Sequence, residues 1–149
     1  MNLYDQISED IKKAMLSRDK QRLEALRGIK KEFIEAKTAK GSDGELHDDV
    51  ALKILTKMAK QRRESAQIYS EQNRPELAAE ELAEVTVIES YLPKPMSEAE
   101  LEAAIKEIIA ETGATSVKEM GKVMGLASKK LAGKVDGKAL ADKVKALLA

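Results

Sequence analysis

The spacing of apolar residues leaves this chain one kind of regular structure. Leu3, Ile7, Ile11 and Met15 recur at every fourth position, and Leu23, Leu26, Ile29 and Phe33 recur at steps of three and four in a helix continuing toward Lys40. The same period returns in Ala51, Ile54, Leu55 and Met58, within a helix expected from about Asp48 to Tyr69. It returns again in Ala78, Leu82, Val85, Ile88 and Leu92, within a helix opening at Pro75, a residue suited to a first helical turn. A step of three or four places each set on one helical face, whereas a strand would alternate every second residue. Ala, Leu, Glu and Lys dominate, Phe occurs once and Trp is absent, a composition of helix formers. The expectation is an all-α protein.

Breaks in the pattern divide the chain. "KGSDGELHDD" interrupts the period after the second helix, and "LPKP" stops the fourth, because each proline disfavours helical geometry in the residue before it. Beyond that joint, Ser97 and Glu100 form a capping box before Leu101, Ile105, Ile108 and Ile109. Ser116 and Glu119 predict a second box opening the sixth helix. Asp136 is the expected N-cap of a seventh helix that buries Leu140, Val144 and Leu147. The reading is two helical lobes sharing a core: residues 1–93 form an N-terminal helical lobe, and residues 96–149 form a C-terminal three-helix lobe.

Total charge says nothing about partners, since 26 Lys and Arg balance 26 Asp and Glu. Its distribution is more informative. From Thr115 to the end, eight lysines (118, 122, 129, 130, 134, 138, 143, 145) face three acids, Glu119, Asp136 and Asp142. The fifth helix is the reverse, with glutamates at 98, 100, 102, 107 and 111 and one lysine, Lys106. A neutral chain therefore ends in a basic lobe. There is no cysteine, no apolar run of signal-peptide length and no run long enough to span a bilayer. These features predict a soluble, cytoplasmic monomer with no membrane partner.

Within the basic lobe, Gly121, Gly125, Gly133 and Gly137 stand in a lysine-rich helical segment, although a glycine inside a helix costs about 1 kcal/mol relative to alanine. On a helical wheel Met120, Met124, Ala127 and Leu131 share one face, and Lys118, Lys122, Gly125 and Lys129 fall in an arc of roughly 60° on the other, with Gly121 beside them. Lys134 and Lys138 continue the basic character past Gly133 and Gly137. Such a surface lets a phosphate backbone approach main-chain amides between ammonium groups. Two structural readings compete with this. The lysines are also what an ordinary solvated face contains, and Gly121 and Gly125 would also serve close packing of the sixth helix on the N-terminal lobe. Gly133 reads as a helix C-cap, Gly137 as a first-turn residue, and Met120 and Met124 as core.

Other clusters point to structure. His47 lies among Asp43, Glu45, Asp48 and Asp49, but the spacing matches no EF-hand loop; a solvated turn capping the third helix is expected, and no metal is assigned. Lys57, Lys60, Arg62 and Arg63 could form a second nucleic-acid contact, with a solvated or ion-paired face the favoured reading. Arg27, Lys30 and Lys37 border the apolar arc of the second helix and are expected to snorkel or to pair with glutamates of the fourth.

"RLEALRGIKKEF", "KQRRESAQIYSEQNRPELAAEELAEVTVIESYLPKPMSEAEL", "MGKVMG" and "LAGKVDGKALADKVKALL" together resemble the YqeY family over nearly the whole chain. The C-terminal lobe of that family is similar to the tail domain of the GatB subunit of the glutamyl-tRNA(Gln)/aspartyl-tRNA(Asn) amidotransferase. The resemblance implies an all-helical two-lobe protein and a tail lobe that holds tRNA. It points to Gly121, Lys122, Val123, Met124, Gly133, Lys134, Asp136 and Gly137. Lys134 and Val135 depart from the family's common "G-R-A-D" form; lysine keeps the charge without arginine's planar fork.

The related amidotransferase is a carbon-nitrogen ligase with glutamine as amido donor, yet amide transfer needs an amidase and an ATP-dependent kinase centre. This chain has no P-loop, no Gly-Ser-rich amidase run and no cysteine. No catalytic residue, cofactor or metal is assigned. The expectation is a non-catalytic accessory module that contacts tRNA phosphates through Lys118, Gly121, Lys122, Gly125, Lys129, Gly133, Lys134, Gly137 and Lys138, with a protein partner in translation. The alternative is a helical protein-interaction adaptor that binds no RNA.

Overall fold

A computed structural model describes residues 1–149 as seven α-helices, one 3-10 turn and their connections, with no strand. The all-α expectation holds. The chain divides into two compact units, Met1–Leu92 and Pro93–Ala149. Each has its own buried apolar cluster.

The first unit contains α1 (Leu3–Ser17), α2 (Lys20–Lys37), α3 (Asp48–Glu71) and α4 (Pro75–Glu89). Asn2 and Asp19 cap α1 and α2 by accepting the Asp5 and Arg22 amide N–H groups, which satisfies donors that have no intrahelical partner. Ile7, Leu26, Ile29, Phe33, Leu55 and Ile88 form the centre of the core. Asn73, in the left-handed region at φ 59°, turns the chain from α3 into α4; asparagine tolerates that conformation better than most residues.

Three expectations fail in this unit. Met15 is 53% exposed and Ala14 takes its place in the core, because strict steps of four drift by about 40° each and carry Met15 off the face begun by Leu3. Leu82 sits at the rim of its face and is half exposed. The second helix ends at Lys37 rather than Lys40. Within "KGSDGELHDD", Leu46 is buried and anchors the connection to the core.

The second unit contains α5 (Glu98–Thr112), a 3-10 turn (Val117–Glu119), α6 (Met120–Lys130) and α7 (Gly137–Leu148). The Ser97 capping box forms as expected, with Ser97 Oγ accepting the Glu100 N–H at 3.2 Å and the Glu100 carboxylate accepting the Ser97 N–H at 3.4 Å. The box expected at Ser116 does not form. Glu119 lies in the 3-10 turn and its carboxylate reaches back to the Thr115 N–H and hydroxyl, while the Ser116 side chain makes no capping bond. In α6, Val123 and Ala127 are the fully buried pair, whereas Met120 and Met124 are only partly buried. In α7 the buried set is Leu140, Val144 and Leu148, with Leu147 half-buried, and Ile109 of α5 is likewise only partly covered.

Candidate nucleic-acid interface

Since Val123 and Ala127 point α6 inward, the wheel places Gly125 about 180° from their midpoint, with Gly121, Lys122 and Lys129 within about 60° of it. All four are exposed, as is Lys118 in the preceding turn. The glycines have no packing role there: a Cβ built on Gly121, Gly125 or Gly137 would meet nothing within 4 Å. Within their own unit, neither Gly121 nor Gly125 serves close helix packing. Gly133 is different. The C-cap of α6 is Leu131 and not, as expected, Gly133, which adopts φ 76° two residues further on, a conformation that glycine reaches without steric cost.

The loop that Gly133 begins is held in place. Lys134 donates its N–H to the Leu131 carbonyl and accepts the Met96 N–H at 3.2 Å, while its side chain stays exposed. Asp136 caps α7 by accepting the Lys138 N–H at 3.3 Å. Gly137 is the first helical residue, and Gly137 and Lys138 are both exposed.

Charge pairing separates the lysines of this unit into two groups. Lys106 pairs with Glu102 at 3.3 Å, Lys130 with Glu111 at 2.7 Å, and Lys143 with Glu98 at 3.3 Å and Glu102 at 3.9 Å, so α5 neutralises the cations nearest to it. Lys118, Lys122, Lys129, Lys134, Lys138 and Lys145 have no carboxylate at ion-pair distance. Glu119 stands at the edge of this surface. Its carboxyl is held below the usual range mainly by the Thr115 backbone N–H, with a smaller pull from Lys122.

The remaining clusters have structural partners. Arg62 lies 2.5 Å from a Glu84 carboxylate oxygen and 3.9 Å from Glu81, and Arg63 pairs with Glu89, so both arginines of "KQRRES" are tied to α4. Lys37 and Lys30 lie over the Tyr4 ring, at 4.4 and 6.0 Å from its centre. Their partner is thus an aromatic face of α1 and not the expected glutamates of α4. Arg27 is exposed. His47 precedes α3 without capping it through its side chain; its Nε2 bonds Asp43 at 2.7 Å. No group of three or more histidine or acidic side chains is close enough to hold a metal ion.

Fold and site together define an all-helical protein of two compact units whose candidate site is an unpaired cationic helix face lined with glycine. The Yqey-like protein family model matches residues 4–148, and the chain belongs to that family. Among curated proteins, it is 30% identical over 143 residues to altered inheritance of mitochondria protein 41 of Kluyveromyces lactis, covering 94% of this chain and 72% of that protein. The protein of the same name in Lachancea thermotolerans is 32% identical over 111 residues, 70% of this chain and 57% of its own length. That of Meyerozyma guilliermondii is 40% identical over 87 residues, 58% of this chain and 44% of its own. The match thus spans little more than half of the Lachancea protein and less than half of the Meyerozyma protein. All three relatives are named as mitochondrial proteins, which overturns the cytoplasmic expectation. A lack of cysteine and of long apolar runs does not distinguish between those compartments.

Proposed function

We propose that this protein is a non-catalytic RNA-binding module, with tRNA the candidate ligand, that contacts phosphates through the α6–α7 face of its C-terminal unit. One observation carries the reading: exposed glycines with nothing to pack against stand among lysines with no carboxylate partner. An exposed helix gains stability when alanine replaces glycine, so fold stability alone does not account for Gly121 and Gly125. Close approach of a phosphate backbone does account for them, because a residue without a side chain lets a phosphate come nearer the helix between two ammonium groups.

Titration of total tRNA against the full chain at several salt concentrations tests this. Replacing Lys118, Lys122 and Lys129 together by glutamine should weaken binding and flatten the slope of log affinity against log salt by about two to three, since each phosphate contact releases about one counterion. Unchanged affinity and slope would reduce the face to solvated lysines.

The adaptor reading rests on Ile68 and Leu82, which are about half exposed on α3 and α4. Docking of a protein there should persist at high salt and survive ribonuclease treatment of a cell extract.

A further inference from the structure

The corner between α1 and α2 combines two features that no contact within the protein explains. Leu16 is 86% exposed and Met15 53%, the largest apolar exposures outside Met1. Around them, Lys12, Lys13, Arg18 and Lys20 are all exposed, and none has an ion-pair partner. The only acid in the segment "KKAMLSRDK", Asp19, is occupied as the N-cap of α2, accepting the Arg22 N–H at 3.1 Å. Four cations against one acid leave the segment a formal excess of three positives.

We propose that this corner seats the protein on an anionic phospholipid surface, with Leu16 and Met15 entering the headgroup–acyl boundary and the four cations meeting lipid phosphates. No helix is long and apolar enough to cross a membrane, and peripheral seating makes no such demand. An aliphatic tip ringed by cations fits a lipid boundary, where apolar side chains leave water while long basic side chains reach the headgroups. Aliphatic side chains offer bases no planar face to stack on, so RNA would leave Leu16 in water. The site lies on α1 and the start of α2, on residues that the proposed RNA face does not use.

Flotation of the full chain with vesicles tests the proposal. Binding is expected to vesicles enriched in phosphatidylserine and not to phosphatidylcholine alone, and to be lost at high salt. Leu16→Ser should weaken it about tenfold. Lys12→Gln with Lys13→Gln should weaken it about 25-fold, at roughly fivefold per cation. Because the C-terminal lysines are also cationic, the Leu16→Ser comparison is repeated in the Lys118→Gln, Lys122→Gln, Lys129→Gln background, where the same tenfold loss is expected. All these positions are exposed, and unchanged circular dichroism would show that the variants fold. Absence of flotation, indifference to Leu16→Ser, or flotation abolished by the C-terminal substitutions alone would each overturn the proposal. So would loss of tRNA binding on Leu16→Ser, because the corner would then be an RNA contact.

Discussion

The Tyr91 hydroxyl donates to Asp10 Oδ2 at 2.6 Å and accepts from the Arg22 guanidinium at 3.3 Å, fastening the segment after α4 to both α1 and α2. Tyr91 belongs to the "YLP" run that contributes to the family resemblance, and the fold gives it a structural role. Tyr91→Phe removes the donor and leaves Asp10 short of a partner, so urea unfolding of the intact chain should show a loss of about 1–2 kcal/mol. Burial first, and then Asp10, push the phenol above its ordinary pKa. A folded value above the unfolded one means the contribution is complete below about pH 10 and is lost as pH rises through the folded value. The stability difference between wild type and Tyr91→Phe should therefore narrow in strong base.

Arg62 is the shared cation of Glu81 and Glu84, and its guanidinium passes 3.8 Å from where a Cβ on Gly28 would stand. Burial raises the Glu84 pKa, and Arg62 partly offsets that rise. Arg62→Met should destabilise the first unit by about 1–3 kcal/mol near neutral pH, because it leaves two half-buried carboxylates facing each other. Protonating Glu84 relieves that repulsion, so the deficit should shrink as pH falls. Urea midpoints at neutral and mildly acidic pH measure it.

His47 and Asp43 form an exposed pair in which each holds the other charged: hydrogen bonding to Asp43 raises the His47 pKa, and the same bond lowers that of Asp43. The raised histidine contributes fully below about pH 6.5, and the lowered carboxylate contributes above about pH 4. The pair's stabilisation is thus confined to that acidic window and fades as pH rises through the folded histidine value. NMR titration of the His47 ring should give a higher pKa in wild type than in Asp43→Asn.

Gly125→Ala separates stability from binding. With nothing within 4 Å of the new Cβ, the substitution should raise the unfolding midpoint by an amount equivalent to up to about 1 kcal/mol. If backbone approach matters, tRNA affinity should fall with the salt slope nearly unchanged, since no charge is removed. A stabilised variant that binds tRNA as wild type does would show that phosphates do not approach the backbone there.

Some of this protein was determined locally and so was readable in order along the chain. Helix period, the Ser97 capping box and the Asp136 cap depend on neighbours within about four residues, and they stand where the sequence places them. The exposure of Lys118, Lys122 and Lys129 was readable too, because charged side chains opposite an apolar stripe face water. Tertiary structure decided how far each face turned and which partner each charge found. It buried Leu46 and Val123 in clusters assembled from elements distant in sequence. It also set Lys30 and Lys37 over Tyr4 and gave Arg62 to α4. Apolar spacing specifies a face only to within tens of degrees, and long cationic side chains reach several carboxylates or rings at similar cost. Those near-degeneracies are resolved only when helices distant in sequence come into contact.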